Sequence, residues 1–209
     1  MTVATDVLPL SRALKESTAA VHDEAEHSPF MGDLLAGRGS SANFIALTEQ
    51  LWHIYDALER SIEATVDHHA ITAVHDPRLA RLAALEADLD HLSPGWRERA
   101  DALPATRAYI ERIQACADAP HRLLAHHYTR YLGDLSGGQV IPTLITRHYG
   151  VTDGLSFYDF EAIGRVKPYK DGYRAALDAI ELSEGERAEV LDEAVAAFRA
   201  NSALFAALA

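Results

Sequence analysis

The residues best placed to do chemistry fall in two short segments. In the first, Lys15, Thr18, His22 and Glu26 are spaced by three, four and four residues, which puts them on one stripe of an α-helix. That stripe offers an imidazole able to bind a metal, a carboxylate one turn on to take the other ring N–H, and an ammonium two turns back. The same spacing also describes an ordinary exposed His–Glu pair, worth ~0.2–0.5 kcal/mol. His27 offers a second imidazole, and Glu24-x-x-His27 matches half of a di-iron bundle signature; the chain has no second Glu-x-x-His to complete it.

The second segment is His126–Val140, where Gly133, Gly137 and Gly138 interrupt an otherwise helical pattern. Each glycine costs ~1 kcal/mol against alanine in a helix interior. Pro142 then removes a backbone donor, so a kink is expected near Gly137-Gly138. Gly133 and Gly137 share one helical face. Two readings stay open: close helix–helix packing through small residues, or a flat ligand lying against bare backbone. A phosphate cradle is disfavoured, since there is no Gly-x-Gly-x-x-Gly and no Lys-Ser/Thr after the glycines. Asp134, inside this stretch, is either a carboxylate beside the ligand or a solvated helix acid.

The elements that must position these segments are helical. Between Asn43 and Val66 apolar residues recur at Phe44, Leu47, Leu51, Ile54, Tyr55, Leu58, Ile62 and Val66, mostly in steps of three or four. Leu10–Ala25, Leu79–Leu89, Ala105–Ala115, Leu123–Tyr149, Phe157–Leu177 and Arg187–Leu208 read the same way, with Ser183 and Glu186 forming a capping box before the last. Alternating strands and internal repeats are lacking. The expectation is an all-α fold of about seven or eight helices in a single domain spanning 1–209, with residues 1–9 as a flexible N-terminus.

Composition narrows the function classes. The 209 residues carry 19 Lys+Arg against 31 Asp+Glu, a net charge of −12, which argues against nucleic acid or an anionic membrane as the main partner. The one cysteine, Cys116, excludes an internal disulfide, a Cys-based zinc site and paired-Cys haem attachment. There is no run of membrane-spanning length and no secretory signal, so a cytoplasmic location without a membrane anchor is expected. Of the 11 histidines, His68, His69, His75, His91, His121 and His148 are expected at the surface, and His53 as a packed or edge residue.

Taken together, the two segments carry a resemblance. Tyr131-Leu132-Gly133-Asp134-Leu135-Ser136-Gly137-Gly138-Gln139 closely resembles the distal-helix signature of haem oxygenases, and Thr18-x-x-x-His22-x-x-Ala25-Glu26 the proximal one. Trp52-His53-Ile54-Tyr55-x-Ala57-Leu58-Glu59, Tyr169-Lys170-x-x-Tyr173-Arg174 and Ala197-Phe198-x-x-Asn201-x-x-x-Phe205 are also similar to that family, so the likeness runs from about Leu10 to Leu208. It implies a helical fold that sandwiches haem b, which is both substrate and prosthetic group. Haem would be cleaved at the α-meso carbon to biliverdin, carbon monoxide and ferrous iron, with dioxygen and electrons from an external reductase or ferredoxin. A monomer of the bacterial type is implied, serving iron acquisition or pigment synthesis.

Residue by residue, the resemblance makes His22 the iron ligand and Glu26 its orienting carboxylate. Gly133 and Gly137 would allow close approach to the ring, and Gly138 the kink. Asp134 would act through an ordered water, with Tyr55, Arg130, Tyr109 and Asn201 completing that hydrogen-bond network. Lys15, Tyr128, Lys170 and Arg174 would hold the propionates, and Met31 and Phe198 would pack near the ring. Pro168 is expected as the first residue of its helix; a kink there would instead hand the propionates to Arg165 or Lys167. A haem carrier or sensor on the same scaffold, and a helical bundle acting on another small molecule, are the alternatives.

Overall fold

The apolar spacing of the long windows is realised as helices. The computed structural model describes residues 8–209, and no strand occurs among them. Ten α-helices follow one another: α1 (Leu10–Glu26), α2 (Pro29–Leu35), α3 (Ser41–Ala64), α4 (His69–Thr72), α5 (Leu82–Leu92), α6 (Pro104–Gln114), α7 (Leu123–His127), α8 (Ile141–Tyr149), α9 (Val166–Asp178) and α10 (Glu184–Leu208). Residues 1–7 of the expected flexible N-terminus lie outside the described residues. Pro9 is the N-cap of α1, and the Leu8 carbonyl accepts from the Arg187 guanidinium, which ties the entry of α1 to α10.

The two longest helices begin with reciprocal caps. Ser183 Oγ accepts from the Glu186 N–H at 3.3 Å while Glu186 returns a bond to the Ser183 N–H at 2.8 Å, the box expected from sequence. Ser40 and Asn43 do the same for α3, at 3.3 and 3.0 Å. Each box satisfies two backbone donors that a helix start otherwise leaves open.

α10 is the spine: it packs along α1 and also against α6 and α7, while α3 packs on α5 and α6. One apolar core runs through all of them, from Leu10 to Leu204, with Trp96, Tyr55, Tyr109 and Phe44 fully buried. The helix count exceeds the expected seven or eight because of two short helices and one divided window. The short α2 and α4 carry too few residues to show a period. The Leu123–Tyr149 window is divided. The Phe157–Leu177 window is helical only from Val166, because Gly164 sits at φ +73°, where the chain leaves any right-handed helix.

The divided window is where the fold serves the site. α7 runs into a π-helical turn at Tyr128–Leu132, followed by two more helical residues, Gly133 and Asp134. The chain breaks at Leu135-Ser136, with Ser136 at φ −114°, ψ −95°, and continues as a 3-10 turn at Gly137–Val140 into α8. The interruption thus falls just before the Gly137-Gly138 pair rather than at it. Pro142 takes the first turn of α8, where its missing N–H costs nothing.

Candidate functional site

On α1, Thr18 is buried and His22 and Glu26 are exposed along one stripe. His22 Nδ1 lies 3.6 Å from Glu26 Oε2, with the two side chains 49% and 59% exposed. Nδ1 therefore turns toward the carboxylate while the ring leans on Phe198 of α10, centroids 5.4 Å apart and tilted 55°. A neutral imidazole in this pose offers Nε2 as a ligand atom.

Across from this stripe lies the glycine segment. A Cβ added to Gly133 would meet nothing within 4 Å, and one added to Gly137 would meet only Glu26 Oε1, at 3.9 Å. The helix-packing reading of the two glycines therefore fails: no helix is packed against them, and their bare backbone faces a gap bounded by the carboxylate of α1. Gly138 is different. It is buried, and a Cβ there would sit in ordinary contact with Asp134 Cβ and the Gly133 carbonyl at 3.7 Å and with the Tyr158 ring at 3.8 Å, so it packs into the turn and does not face the gap. Gln139 holds that turn, donating to the carbonyls of Asp134 at 3.0 Å and Tyr158 at 3.3 Å.

Behind the glycines is a buried polar network. The Tyr55 hydroxyl donates to Asp134 Oδ2; Arg130 Nε donates to Tyr55 Oη at 3.3 Å, and Arg130 Nη1 to Asn201 Oδ1 at 2.8 Å. Arg130 Nη2 stands 3.9 Å from Asp134 Oδ1, one helical turn away. Burial pushes the Asp134 carboxyl up to about 6, with Arg130 and Tyr55 opposing the shift. Tyr109 adds a buried hydroxyl without a hydrogen-bond partner, held up at about 12 by burial. Asp134, Tyr55, Arg130 and Asn201 are thus brought into direct contact, and Tyr109 stands beside them, fully buried.

At one end of the gap the charge turns positive. Arg165 is the N-cap of α9, so Pro168 is the third helical residue rather than the expected first. Its missing N–H is still one of the four that a helix start cannot pair. The helix runs on through Gly172, which keeps Lys170 and Arg174 on one face, and Lys167 is engaged with Asp171 at 2.7 Å. Lys170 Nζ donates to Ser136 Oγ at 2.7 Å, at the break in the distal segment. Burial and then the Arg174 charge lower the Lys170 ammonium, while Asp171 opposes them. Tyr128, half-buried, sits beside Thr18 and Arg174. Lys15 is exposed two turns before His22 on α1, and Met31 is part of the core.

These features fit a flat dianionic macrocycle with a metal at its centre. There is a free imidazole on one face, side-chain-free backbone on the other, a buried acid behind it and paired cations at the edge. A sequence-family profile described as Heme oxygenase matches residues 8–207. The chain belongs to the haem oxygenase family. It is 38% identical over 205 residues to heme oxygenase 1 of Gallus gallus, covering 95% of this chain and 69% of that protein. With the heme oxygenase of Pyropia yezoensis it shares 36% over 200 residues, 94% of this chain and 84% of the other. The heme complex of heme oxygenase-1 from the cyanobacterium Synechocystis superposes with a TM-score of 0.92 at 33% identity, covering 96% and 92% of the two chains. Heme oxygenase from Leptospira interrogans gives 0.91 at 30% identity, covering 96% and 100%.

Several residues around this haem oxygenase site were not legible beforehand. Asp88 accepts from the N–H groups of Ser156 and Phe157, both at 2.8 Å, which pins the loop whose Phe157 ring abuts Tyr55 at 5.3 Å. Arg81 donates to the Asp159 carbonyl in the same loop. Glu193, on α10, is 1% exposed and bonds Arg112, Arg122 and His126. Its signal was present, since Val190, Glu193, Ala194 and Ala197 share the buried stripe of α10. His121, expected at the surface, is buried, with Nε2 on Glu189 at 2.8 Å; the 3-10 turn starting at Pro120 folds it inward. His53 is half-buried, with Nε2 against the Ala100 carbonyl at 3.0 Å.

Proposed function

We propose that this chain is a haem oxygenase that binds haem between α1 and the Gly133–Gly138 segment. It opens the ring at the α-meso carbon, giving biliverdin, carbon monoxide and ferrous iron at the expense of dioxygen and electrons from an external reductase or ferredoxin. The observation that carries this reading is the open backbone at Gly133 and Gly137 facing the His22–Glu26 stripe, with Asp134 buried directly behind. Bound haem supplies the iron centre and the carbon that is oxidised.

The protein's own groups divide the work. His22 would bind through Nε2, with Nδ1 turned to Glu26 at 3.6 Å. Gly133 and Gly137 let main chain lie close against the ring. Burial raises the Asp134 carboxyl to about 6, so it takes up a proton far more readily than an exposed aspartate, and Tyr55 and Arg130 fix its orientation. With a carboxyl poised at about 6 it can give and regain that proton through a bridging water. Lys170, Arg174, Tyr128 and Lys15 clamp the propionates; Ser136 parks the Lys170 ammonium beside the gap. That clamp sets ring rotation and with it the carbon attacked. Phe198 supports the imidazole, and Met31, part of the core, packs near the ring.

The same reading takes the chain as one domain, monomeric and cytoplasmic, and among the described residues no helix is long and apolar enough to cross a membrane. Basic residues at the haem edge are the docking site for the electron donor; reversing the charge at Lys170 should slow donor-driven turnover by more than it slows turnover with a small chemical reductant, the second rate reporting loss of the clamp alone. The decisive test is aerobic turnover of bound haem with isomer analysis of the pigment. The α isomer of biliverdin is expected, and an absence of bilin overturns the reading. Asp134→Ala separates enzyme from carrier: an oxygenase keeps its haem absorbance and loses pigment formation by about 100-fold or more, whereas a carrier is unaffected.

A further inference from the structure

The strongest unexplained group outside the site is the Glu193 cluster. This carboxylate, contributed by α10, accepts from Arg112 Nε of α6 at 2.6 Å, from Arg122 Nε before α7 at 3.2 Å, and exchanges a bond with His126 Nε2 of α7 at 2.9 Å. Cys116 also approaches: its sulfur and ligand atoms of His126 and Glu193 lie within 4.8 Å of one another. A metal is nonetheless excluded by charge, because both carboxylate oxygens already carry guanidinium groups.

Two neighbouring atoms give the cluster a direction. Among the described residues, His126 Nδ1 and Tyr109 Oη are buried side-chain polar atoms without a partner, and their rings stand 5.6 Å apart. Thr129 Oγ1, one turn beyond His126, is a third. Buried polar atoms pair almost without exception, with ordered water where no protein group reaches. Tyr109 feels the charges of Arg130 and Glu193 above all others, so its hydroxyl stands between the distal network and this cluster.

We propose that Glu193 is a positioning residue for the distal network: it fixes His126 with Nε2–H on the carboxylate and Nδ1 bare, and Nδ1 accepts from the Tyr109 hydroxyl through a buried water. The chemistry of the pair requires this polarity. An ionised carboxylate only accepts. Although burial works against its charge, His126 and the two arginines hold Glu193 down at about 2, and burial lowers the His126 imidazole, which favours its neutral form at pH 7 and above. Nε2 must then carry the proton. Once Tyr109 donates toward His126, its oxygen can only accept on the Arg130 side, so it adds no competing proton to the water that Asp134 serves. That last consequence rests on the functional reading above; the tautomer itself does not.

The test reads the haem-free protein with ring-¹⁵N-labelled histidine, His126 being identified by the signal lost in His126→Gln. A single neutral Nε2–H tautomer is expected at pH 7–8. Tyr109→Phe should shift the Nδ1 resonance and leave the tautomer unchanged, and Glu193→Gln should lose the single tautomer. An Nδ1–H or cationic ring in the unmodified protein, or an Nδ1 resonance unmoved by Tyr109→Phe, overturns the proposal. Tyr109→Phe decides alone if the Glu193 variant does not fold. In the haem-loaded enzyme Glu193→Gln should raise the solvent isotope effect on pigment formation while the haem absorbance stays; an unchanged isotope effect overturns the link to the reaction. Failure to form bilin at all would sink the functional reading and leave the tautomer result standing.

Discussion

The two sides of the gap are built on opposite plans. The α1 side is an unbroken 17-residue helix whose key residue, His22, is half-exposed and touches Glu26 only at 3.6 Å. The facing side is a chain of fragments — α7, a π turn, a break at Leu135-Ser136, a 3-10 turn, α8 — whose key residues Asp134, Arg130 and Asn201 are buried and bonded to one another. A ligand atom needs only a rigid mount and a free lone pair, which regular helix supplies. The facing side must set bare backbone at the gap and a bonded acid behind it, and its helix breaks at Leu135-Ser136, just past that acid. On one side function is nearly separable from stability, and on the other the two are one network.

That contrast can be broken most forcefully at Arg130. Arg130→Met leaves Asp134, Tyr55 and Asn201 without their shared donor in a dry interior, and the expected loss is about 3 kcal/mol of stability, read by urea unfolding without haem. His22→Ala, on the exposed side, is expected to abolish the haem-ligand absorbance while changing unfolding by no more than ~0.5 kcal/mol. A similar stability loss in both variants would erase the distinction.

The two buried acids sharpen it through pH. Asp134 is raised to about 6, above the ~3.9 of an unfolded chain, so its contribution is full below about pH 4 and fades as pH rises through about 6. Glu193 is lowered to about 2, so its contribution is present above ~4.3 and fades as pH falls toward 2. Unfolding followed from pH 3 to 7 should lose its decline between about pH 4 and 6 in Asp134→Asn; a curve parallel to the parent would show that the carboxyl is not the source. The smallest effect is expected from Gly133→Ala. With open space around the added methyl, the haem-free protein should unfold at the same point or gain up to ~1 kcal/mol, while haem affinity falls. Unchanged affinity would place the ring elsewhere.

The regular half of the molecule was readable in advance, because period, caps and punctuation are local. The windows for α1, α3, α5, α6 and α10 match the observed helices to within a few residues, and Ser183 with Glu186 marked a true cap. The irregular half was readable only as an anomaly. Three glycines and a proline signal that a helix fails, yet the break at Ser136 is held by Lys170 on its hydroxyl and by Gln139 on the Tyr158 carbonyl, tertiary contacts that no local pattern encodes. The motif resemblance named the residues of the site, and packing decided their environment: it buried Asp134, left His22 half-open, and gave Glu193 three cationic or imidazole partners from separate elements.

The π turn at Tyr128–Leu132 acts as a phase shifter. Each residue of an α-helix advances the direction of its side chains by about 100°, so one residue held in a wider turn rotates everything downstream by about that angle relative to α7. His126 can therefore look into the core toward Glu193 while Gly133 and Gly137, on nominally the same rod, look into the gap. A single amino acid of extra length, stored where nothing else marks it, sets which way the second half of the segment faces.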